Sequence, residues 1–487
     1  MNHPDQFAPS RRRFIQALGA SALVGFPSLG ATGANETIRL GLIGSGGRGL
    51  NHLDHFGGLK NVEFVAIADP DTEYSAQGQK QLESKGRNKK VDQYQDYRKL
   101  LERDDIDAVV IASPNHWHAL HTIHACQAGK DVYVEKPVTH KMSEAAKMIE
   151  ASEKYNRIVQ VGTQSRSDTG LVNALQYINS GEVGKITAVR GLCYRNRSSI
   201  GRAKNPPLKP PTTLDYDQWL GPALDLPILR KQLHYDWHWV WNTGNGDIGN
   251  QAPHEIDIIS WFLGDLGLPE KVNSFGQRFA WDDAGQSPNM QTVWYELAGV
   301  PVIFELNDLW IKPGTNASPS YKGNRVGVIV TCEGGEFRGG RGGGNIFGPD
   351  GKERIKKFPG DAGGKHAQNF IDAVRSRKAD ELTGKLARST ETADVSHLAN
   401  ISHRAGTPAS GKELREGILA SNPDLIDVLT RQEEQLARWS IDTSKVPYIL
   451  GAEVTVDPAS RKITGELASS ELANPKFREG YTLPEEI

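Results

Sequence analysis

At 487 residues the chain exceeds what a single hydrophobic core organises, so two domains with additional segments are expected. Its composition, 38% hydrophobic and 24% charged, is that of a globular protein, and 57 Lys and Arg against 59 Asp and Glu leave a net charge of -2, which excludes the basic field that gathers nucleic acid. Cys126, Cys193 and Cys332 are odd in number and widely separated, which excludes a disulfide framework and lacks the close spacing of a zinc site; they read as small buried hydrophobes.

The chain opens with Arg11, Arg12 and Arg13 ahead of an apolar, small-residue run from Phe14 to Leu29. That run is shorter than the roughly 20 residues of a membrane-spanning helix, so it reads as a removable signal and not as an anchor. The order Ser10-Arg11-Arg12-Arg13-Phe14-Ile15-Gln16 resembles the twin-arginine export motif, with cleavage expected between Ala31 and Ala34. Residues 1–34 are therefore expected to direct an already folded protein to the periplasm or another exported location, leaving no membrane anchor.

From Ile38 to Ile43 the sequence has strand character, then breaks at Gly44-Ser45-Gly46-Gly47-Arg48-Gly49 and enters a helical stretch towards Leu59. The spacing G-x-G-x-x-G between a strand and a helix is the dinucleotide-binding arrangement. Gly44 makes the tight turn, Gly46 clears the path of a pyrophosphate, and Gly49 lets the helix approach the strand. A second strand, Val62 to Ala68, ends at Asp69, where a carboxylate would accept the hydroxyls of the adenosine ribose and repel a 2′-phosphate. NAD is thus favoured over NADP, with Arg48 the feature that speaks for NADP.

Alternation of strand and helix continues through Ala108–Ala112, a helix from Trp117 to Ala128, Asp131–Glu135, a helix from Ser143 to Tyr155, and Ile158–Val161. This predicts a doubly wound parallel sheet over residues 37–161. Ligands of such sheets bind beyond the carboxyl ends of the strands, where Ser113, Asn115, Glu135 and Lys136 fall. His116, His118, His121 and His124 lack a carboxylate or thiolate at ligand spacing, so no metal is expected.

Strand-like runs then mix with long polar loops. In "HYDWHWVWNTGNGD", Trp237, Trp239 and Trp241 are two residues apart, which on an extended segment puts three indoles on one side, either as a sugar platform or as a hydrophobic plug. The stretch "GGEFRGGRGGGNIFGPDG" reads as a mobile flap or linker. Helices are expected over His366–Arg377 and Ala393–Arg404, and one amphipathic stretch, Pro423–Trp439, lies in a C-terminal extension over 406–487 that could serve a homo-oligomer contact.

The stretches "GLIGSGGRG", "SPNHWH", "VEKPVTH", "VGTQSR" and "NQAPHEID", in that order, resemble the Gfo/Idh/MocA family of nicotinamide-dependent sugar and cyclitol oxidoreductases over roughly residues 37–405. The resemblance implies an α/β protein: an N-terminal Rossmann domain, then an α/β domain over 162–405 with a large, mostly antiparallel open sheet, its last helices (about 366–405) bracing the domain junction. It places the catalytic lysine on Lys136 and the catalytic histidine on His254, sets His118 beside the nicotinamide, and adds Gln164 to the cofactor contacts. Arg166, Asn250 and Trp241 are the candidate substrate contacts.

The residue types suit the chemistry. Oxidising a secondary alcohol needs a base for the hydroxyl proton, for which histidine is apt, and a cation to stabilise charge developing on that oxygen, for which Lys136 is placed. One departure from the family is Asn250, four residues before His254, where polyol dehydrogenases carry an aspartate; an amide can position a hydroxyl but cannot take its proton. Asp247 is the acid that could substitute. The expected function is an exported oxidoreductase acting on a sugar, sugar derivative or cyclitol through a tightly held NAD. The alternatives are an NAD-dependent glycosidase working by transient oxidation and elimination, and a non-catalytic NAD-bound sugar-binding protein.

Overall fold

The structure, a computed structural model, describes residues 36–87 and 90–487; the signal expected at 1–34 lies outside the described residues. The first domain is built on six parallel strands: β1 (Ile38–Ile43), β2 (Val62–Ala68), β3 (Asp92–Tyr94), β4 (Ala108–Ile111), β5 (Asp131–Val134) and β6 (Val159–Val161), in the order β3-β2-β1-β4-β5-β6. The strands are short and, apart from the edge strand β3 (Asp-Gln-Tyr), rich in aliphatic residues because helices cover both faces, leaving Leu40, Leu42, Val109, Val110 and Val132 with no solvent exposure. Strand order reverses between β1 and β4, so a crevice opens there, above Gly44 and Ser113.

The second domain carries β7 (Ile186–Tyr194), β8 (Lys271–Gln277), β9 (Met290–Leu297), β10 (Val300–Asn307), β11 (Val326–Cys332), β12 (Gly335–Gly340), β13 (Gly343–Phe347), β14 (Arg354–Pro359), β15 (Thr407–Ala409), β16 (Tyr448–Leu450), β17 (Val454–Asp457) and β18 (Lys462–Thr464). They form one sheet in the order β14-β13-β12-β11-β7-β10-β9-β8-β16-β15, with β17 beside β8 and β18 beside β17. All described pairs are antiparallel except β7 with β10. One face packs on the helices Thr169–Asn179, Pro253–Phe262 and Leu386–Arg404 through a core that includes Leu171, Ile259, Phe262, Leu398 and Phe304.

One expectation is corrected. The glycine-rich stretch is the regular hairpin of β12 and β13, turning at Arg341-Gly342. Its glycines are needed because a Cβ at Gly339 or Gly344 would come within 2.5 Å of the Phe337 ring. The segment after residue 406 packs on its own chain: β15, β16 and β17 extend the large sheet, and the helix Pro423–Arg438 covers the sheet's second face, burying Leu425, Val428, Leu429 and Leu436 against Phe275, Ile303 and Tyr448. Farther on, Arg478 grips Asp217 and the Gly221 carbonyl of the second domain, and the Tyr481 ring reaches the first domain, meeting Trp117 edge-on at 5.5 Å.

Candidate active site

The crevice is shaped by glycines whose side-chain hydrogens are required. Gly44 has φ +87°, and a Cβ there would lie 2.7 Å from the Ser113 nitrogen. A Cβ at Gly49 would lie 2.1 Å from the Gly44 carbonyl oxygen, so only glycine lets the helix Gly47–Gly57 start against β1. The helix begins at Gly46 with no side-chain cap, and a Cβ at Gly47 would meet nothing within 4 Å, so the first-turn amides open onto the crevice as an anion site. Asp69, 7% exposed, receives the Ser45 N–H at 2.8 Å and its hydroxyl at 3.2 Å on one oxygen, and the Asp71 N–H at 3.0 Å on the other. Burial pushes its pKa up against the pull of those amides. The carboxylate thus ties the glycine turn to the end of β2 and still presents unused lone pairs to the crevice. An open anion-binding helix start beside a ribose-binding acid fits a dinucleotide without a 2′-phosphate.

Arg48 points away from Asp69. Its Nε donates to Glu135 Oε1 at 2.8 Å, where His52 Nε2 also lies at 2.8 Å and Gln164 Nε2 donates at 3.1 Å; the Lys136 N–H reaches the other oxygen at 3.2 Å. Burial alone would raise the Glu135 pKa, but Arg48, His52 and Lys136 outweigh it and hold the carboxyl well below its usual range. Arg48 is thereby held towards Glu135 through its Nε. Gln164 lies behind Glu135, also donating to the Tyr133 hydroxyl at 2.9 Å, and orients the carboxylate instead of lining the crevice.

Lys136 stands at the floor of the crevice after β5. Its Nζ donates to the Asn250 carbonyl at 2.7 Å and lies 3.3 Å from the Asn250 side-chain oxygen. Asn250 Nδ2 in turn donates to Asp247 at 2.8 Å, and Asp247 is locked by Arg197 Nε at 2.6 Å and Nη2 at 3.0 Å. Asp247 therefore acts on the amide of Asn250 and not on a ligand. Burial lowers the Lys136 pKa. His254, on the helix Pro253–Phe262, has a buried Nδ1 with no hydrogen-bond partner among the described residues. Burial, and then the neighbouring Lys136 ammonium, lowers its pKa well below that of a free histidine, so the ring is neutral and able to accept a proton.

At the strand ends, Ser113 Oγ lies 3.0 Å from His121 Nδ1, and the His118 ring spans the Ser113 carbonyl at 2.8 Å and the Pro137 carbonyl at 2.6 Å, pinning the β4 and β5 loops together. Asn115 lines the crevice and donates to Asn245 at 2.9 Å. His116 is held between the Thr243 and Trp219 carbonyls, and His124 lies 2.7 Å from the Tyr97 hydroxyl.

The outer wall went unread in the sequence. It is a segment of the second domain that folds over the β2 end: Thr72 N–H donates to Thr213, Asp215 N–H to Pro70, and His234 Nε2 lies 2.9 Å from Asp71 while its ring rests 4.4 Å from that of Tyr74. Trp219, Tyr235, Trp237 and His238 complete this wall. Trp237–Trp239 is a short 3-10 turn, so the three tryptophans do not share one side. Trp237 lines the crevice, whereas Trp241, the expected sugar contact, faces a different cavity under Arg404. Arg166 is also corrected: it is buried and forked onto Asp257 and Asp265 at 2.7 to 2.9 Å, and it does not line the crevice.

Residues 38–163 match the family model described as "Oxidoreductase family, NAD-binding Rossmann fold", and residues 182–308 match its companion, "Oxidoreductase family, C-terminal alpha/beta domain". The chain is 33% identical over 174 residues to an inositol 2-dehydrogenase of Salmonella typhimurium (strain LT2), covering 35% of this chain and 49% of that protein. It is 37% identical over 126 residues to a glycosyl hydrolase family 109 protein of Shewanella pealeana, covering 25% of this chain and 27% of that protein. The matches thus span a quarter to a half of these relatives' length. The fold is shared with the WlbA dehydrogenase from Bordetella pertussis, solved with NADH and UDP-GlcNAcA (TM-score 0.53, 19% identity, 73% of this chain and 93% of that one).

Proposed function

The chain belongs to the Gfo/Idh/MocA oxidoreductase family, with an NAD-binding Rossmann domain, and from that premise we propose that it oxidises and reduces a CH–OH group of a sugar, sugar derivative or cyclitol against a tightly held NAD. The observation that carries the reading is Lys136, half-buried at the floor of the dinucleotide crevice and aimed at Asn250, with the buried ring of His254 following four residues after Asn250 and its Nδ1 without a hydrogen-bond partner among the described residues. NAD, when bound, supplies the hydride acceptor. The Lys136 ammonium, now satisfied by the Asn250 carbonyl, turns to the substrate oxygen and stabilises the negative charge that grows there. His254, kept neutral by burial, takes the hydroxyl proton. Asn250, oriented by Asp247, holds a neighbouring hydroxyl. The dehydrogenase names of the relatives support the substrate class, and the wall over Asp71 supports retention of the cofactor.

The arginine-rich start supports delivery through the twin-arginine pathway; replacing Arg11 and Arg12 by lysine should leave the protein in the cytoplasmic fraction. The activity is tested by mixing purified protein with a panel of neutral sugars and cyclitols and following the absorbance band of reduced nicotinamide. A substrate that develops the band in the native protein should fail to do so in Lys136→Met, with at least a hundredfold lower rate at unchanged melting temperature. An equal rate in that variant would overturn the assignment.

A further inference from the structure

A second cavity, of about 420 Å³, lies across Asn245 from the dinucleotide crevice. The wall between them is one hydrogen-bonded layer: Asn115 donates to the Asn245 side chain, whose Nδ2 donates to the His140 carbonyl at 3.1 Å, while Asn400 Nδ2 donates to the Asn245 carbonyl at 2.9 Å. Two polar side chains lining the cavity are almost fully buried yet incompletely bonded. Among the described residues, His140, 6% exposed, has a buried Nδ1 without a partner, and Asn400, 5% exposed, has a buried Oδ1 without one. Such atoms cost free energy unless a ligand or water meets them.

The charge on the walls is one-sided. Arg404 lies over the Trp241 ring at 5.2 Å with no carboxylate partner among the described residues, and Lys141 gives one hydrogen to the Lys476 carbonyl at 2.7 Å. Glu471, the one lining carboxylate among the described residues, is paired with Lys476 at 2.6 Å. Glu144, behind Lys141, accepts the His140 and Lys141 N–H groups at 2.7 and 3.1 Å, and burial raises its pKa to about 7. Trp241, Leu224, Leu226 and Leu472 supply apolar surface.

From this set we propose that the cavity is a binding site for a monosaccharide acid, an aldonate or uronate, with its carboxylate on Arg404 and Lys141, its C–H surface on Trp241 and Leu472, and hydroxyls satisfying Asn400 Oδ1 and His140 Nδ1. Inorganic phosphate would leave the indole and leucines unused, and a fatty acid would leave the buried amide and imidazole atoms unmet. This site is independent of the chemistry proposed for the crevice.

The test is titration calorimetry with D-gluconate and D-glucuronate, and with D-glucose and inorganic phosphate as comparisons. One acid should bind the native protein and Lys136→Met alike, at least tenfold more weakly to Arg404→Met, and not at all to Ala473→Trp, whose new ring fills the cavity wall. Arg404 is exposed, so its variant tests recognition without threatening the fold. No heat with either acid, binding of glucose or phosphate as tight as that of the acid, indifference to Arg404→Met, or loss of binding in Lys136→Met would each overturn the proposal.

Discussion

Lys136 Nζ donates to the main-chain carbonyl of Asn250 at 2.7 Å and lies 3.3 Å from its side-chain oxygen, so the ammonium is held by a neutral residue where a charge pair could stand. Burial lowers its pKa and no adjacent carboxylate fully restores it. Asn250→Asp puts an opposite charge within reach, which favours the ammonium, so deprotonation needs a higher pH. The basic limb of the kcat/KM profile should therefore move up by roughly one unit or more in this variant. The absolute rate should fall as well, because Asn250 Nδ2 no longer donates to Asp247. A basic limb at its original pH would show that Lys136 does not set it.

Glu135 offers a stability test with a definite sign. Its carboxylate accepts from Arg48, Gln164 and the Lys136 amide and contacts His52, and its pKa in the folded chain is well below the ordinary value. A depressed carboxyl contributes stability that is fully present above the unfolded value, about 4.3, and is lost as pH falls through the folded one. Glu135→Gln should thus cost about 2 kcal/mol at pH 7, with the difference from the native protein closing in strong acid. Melting temperatures of both proteins between pH 3 and 8 measure this; a gap that widens on acidification contradicts it.

How much of this was readable beforehand depends on sequence distance. Gly44, Gly49 and Asp69 could be assigned because strand, turn and helix are local, and their steric roles follow from adjacent residues. Arg166 could not be, since its partners Asp257 and Asp265 lie 91 and 99 residues on, and an arginine in a motif looks alike whether free or paired. The outer wall was equally hidden: His234 meets Asp71 across 163 residues of sequence. "HYDWHW" marks an aromatic concentration, but its alternation mimics a strand, whereas the chain turns through a 3-10 helix and sends Trp237 and Trp241 to different cavities. The glycine-rich hairpin shows the reverse error, glycine read as looseness where it serves close packing against Phe337.

Asp69 has two duties, and one substitution separates them. Asp69→Ser removes acceptors from the Ser45 and Asp71 amides, which should lower stability by about 1–3 kcal/mol. It also removes the charge that repels a 2′-phosphate, so the ratio of the NADP to the NAD dissociation constant should fall at least tenfold, about 1.4 kcal/mol. Fluorescence titration with each reduced cofactor decides it. Equal affinity for both cofactors in the native protein would already refute the assigned role.

The wall over β2 leads to the last prediction, about the reaction cycle. The Thr213–Thr72, Asp215–Pro70 and His234–Asp71 contacts would cover a dinucleotide whose ribose is held at Asp69, and the Trp219 segment of the same wall is braced by Arg478 on Asp217 and Gly221. Release therefore requires these contacts to part together, and the cofactor should co-purify with the native protein. Free NAD is scarce outside the cytoplasm, so an exported enzyme with an escaping cofactor would stop after one turnover. An exported form of the protein would have to reset its cofactor in place, by passing hydride to a second carbonyl compound or by returning it to the same sugar. During steady turnover with a sugar and a carbonyl acceptor, the dialysed native protein should need no added NAD and leave no NADH in the filtrate. His234→Ala and Arg478→Ala should release cofactor at least tenfold faster, about 1.4 kcal/mol off the barrier, and should become dependent on added NAD. Stoichiometric NADH in the filtrate of the native protein, or exchange of labelled NAD as fast as in the two variants, would return it to the freely exchanging dehydrogenases.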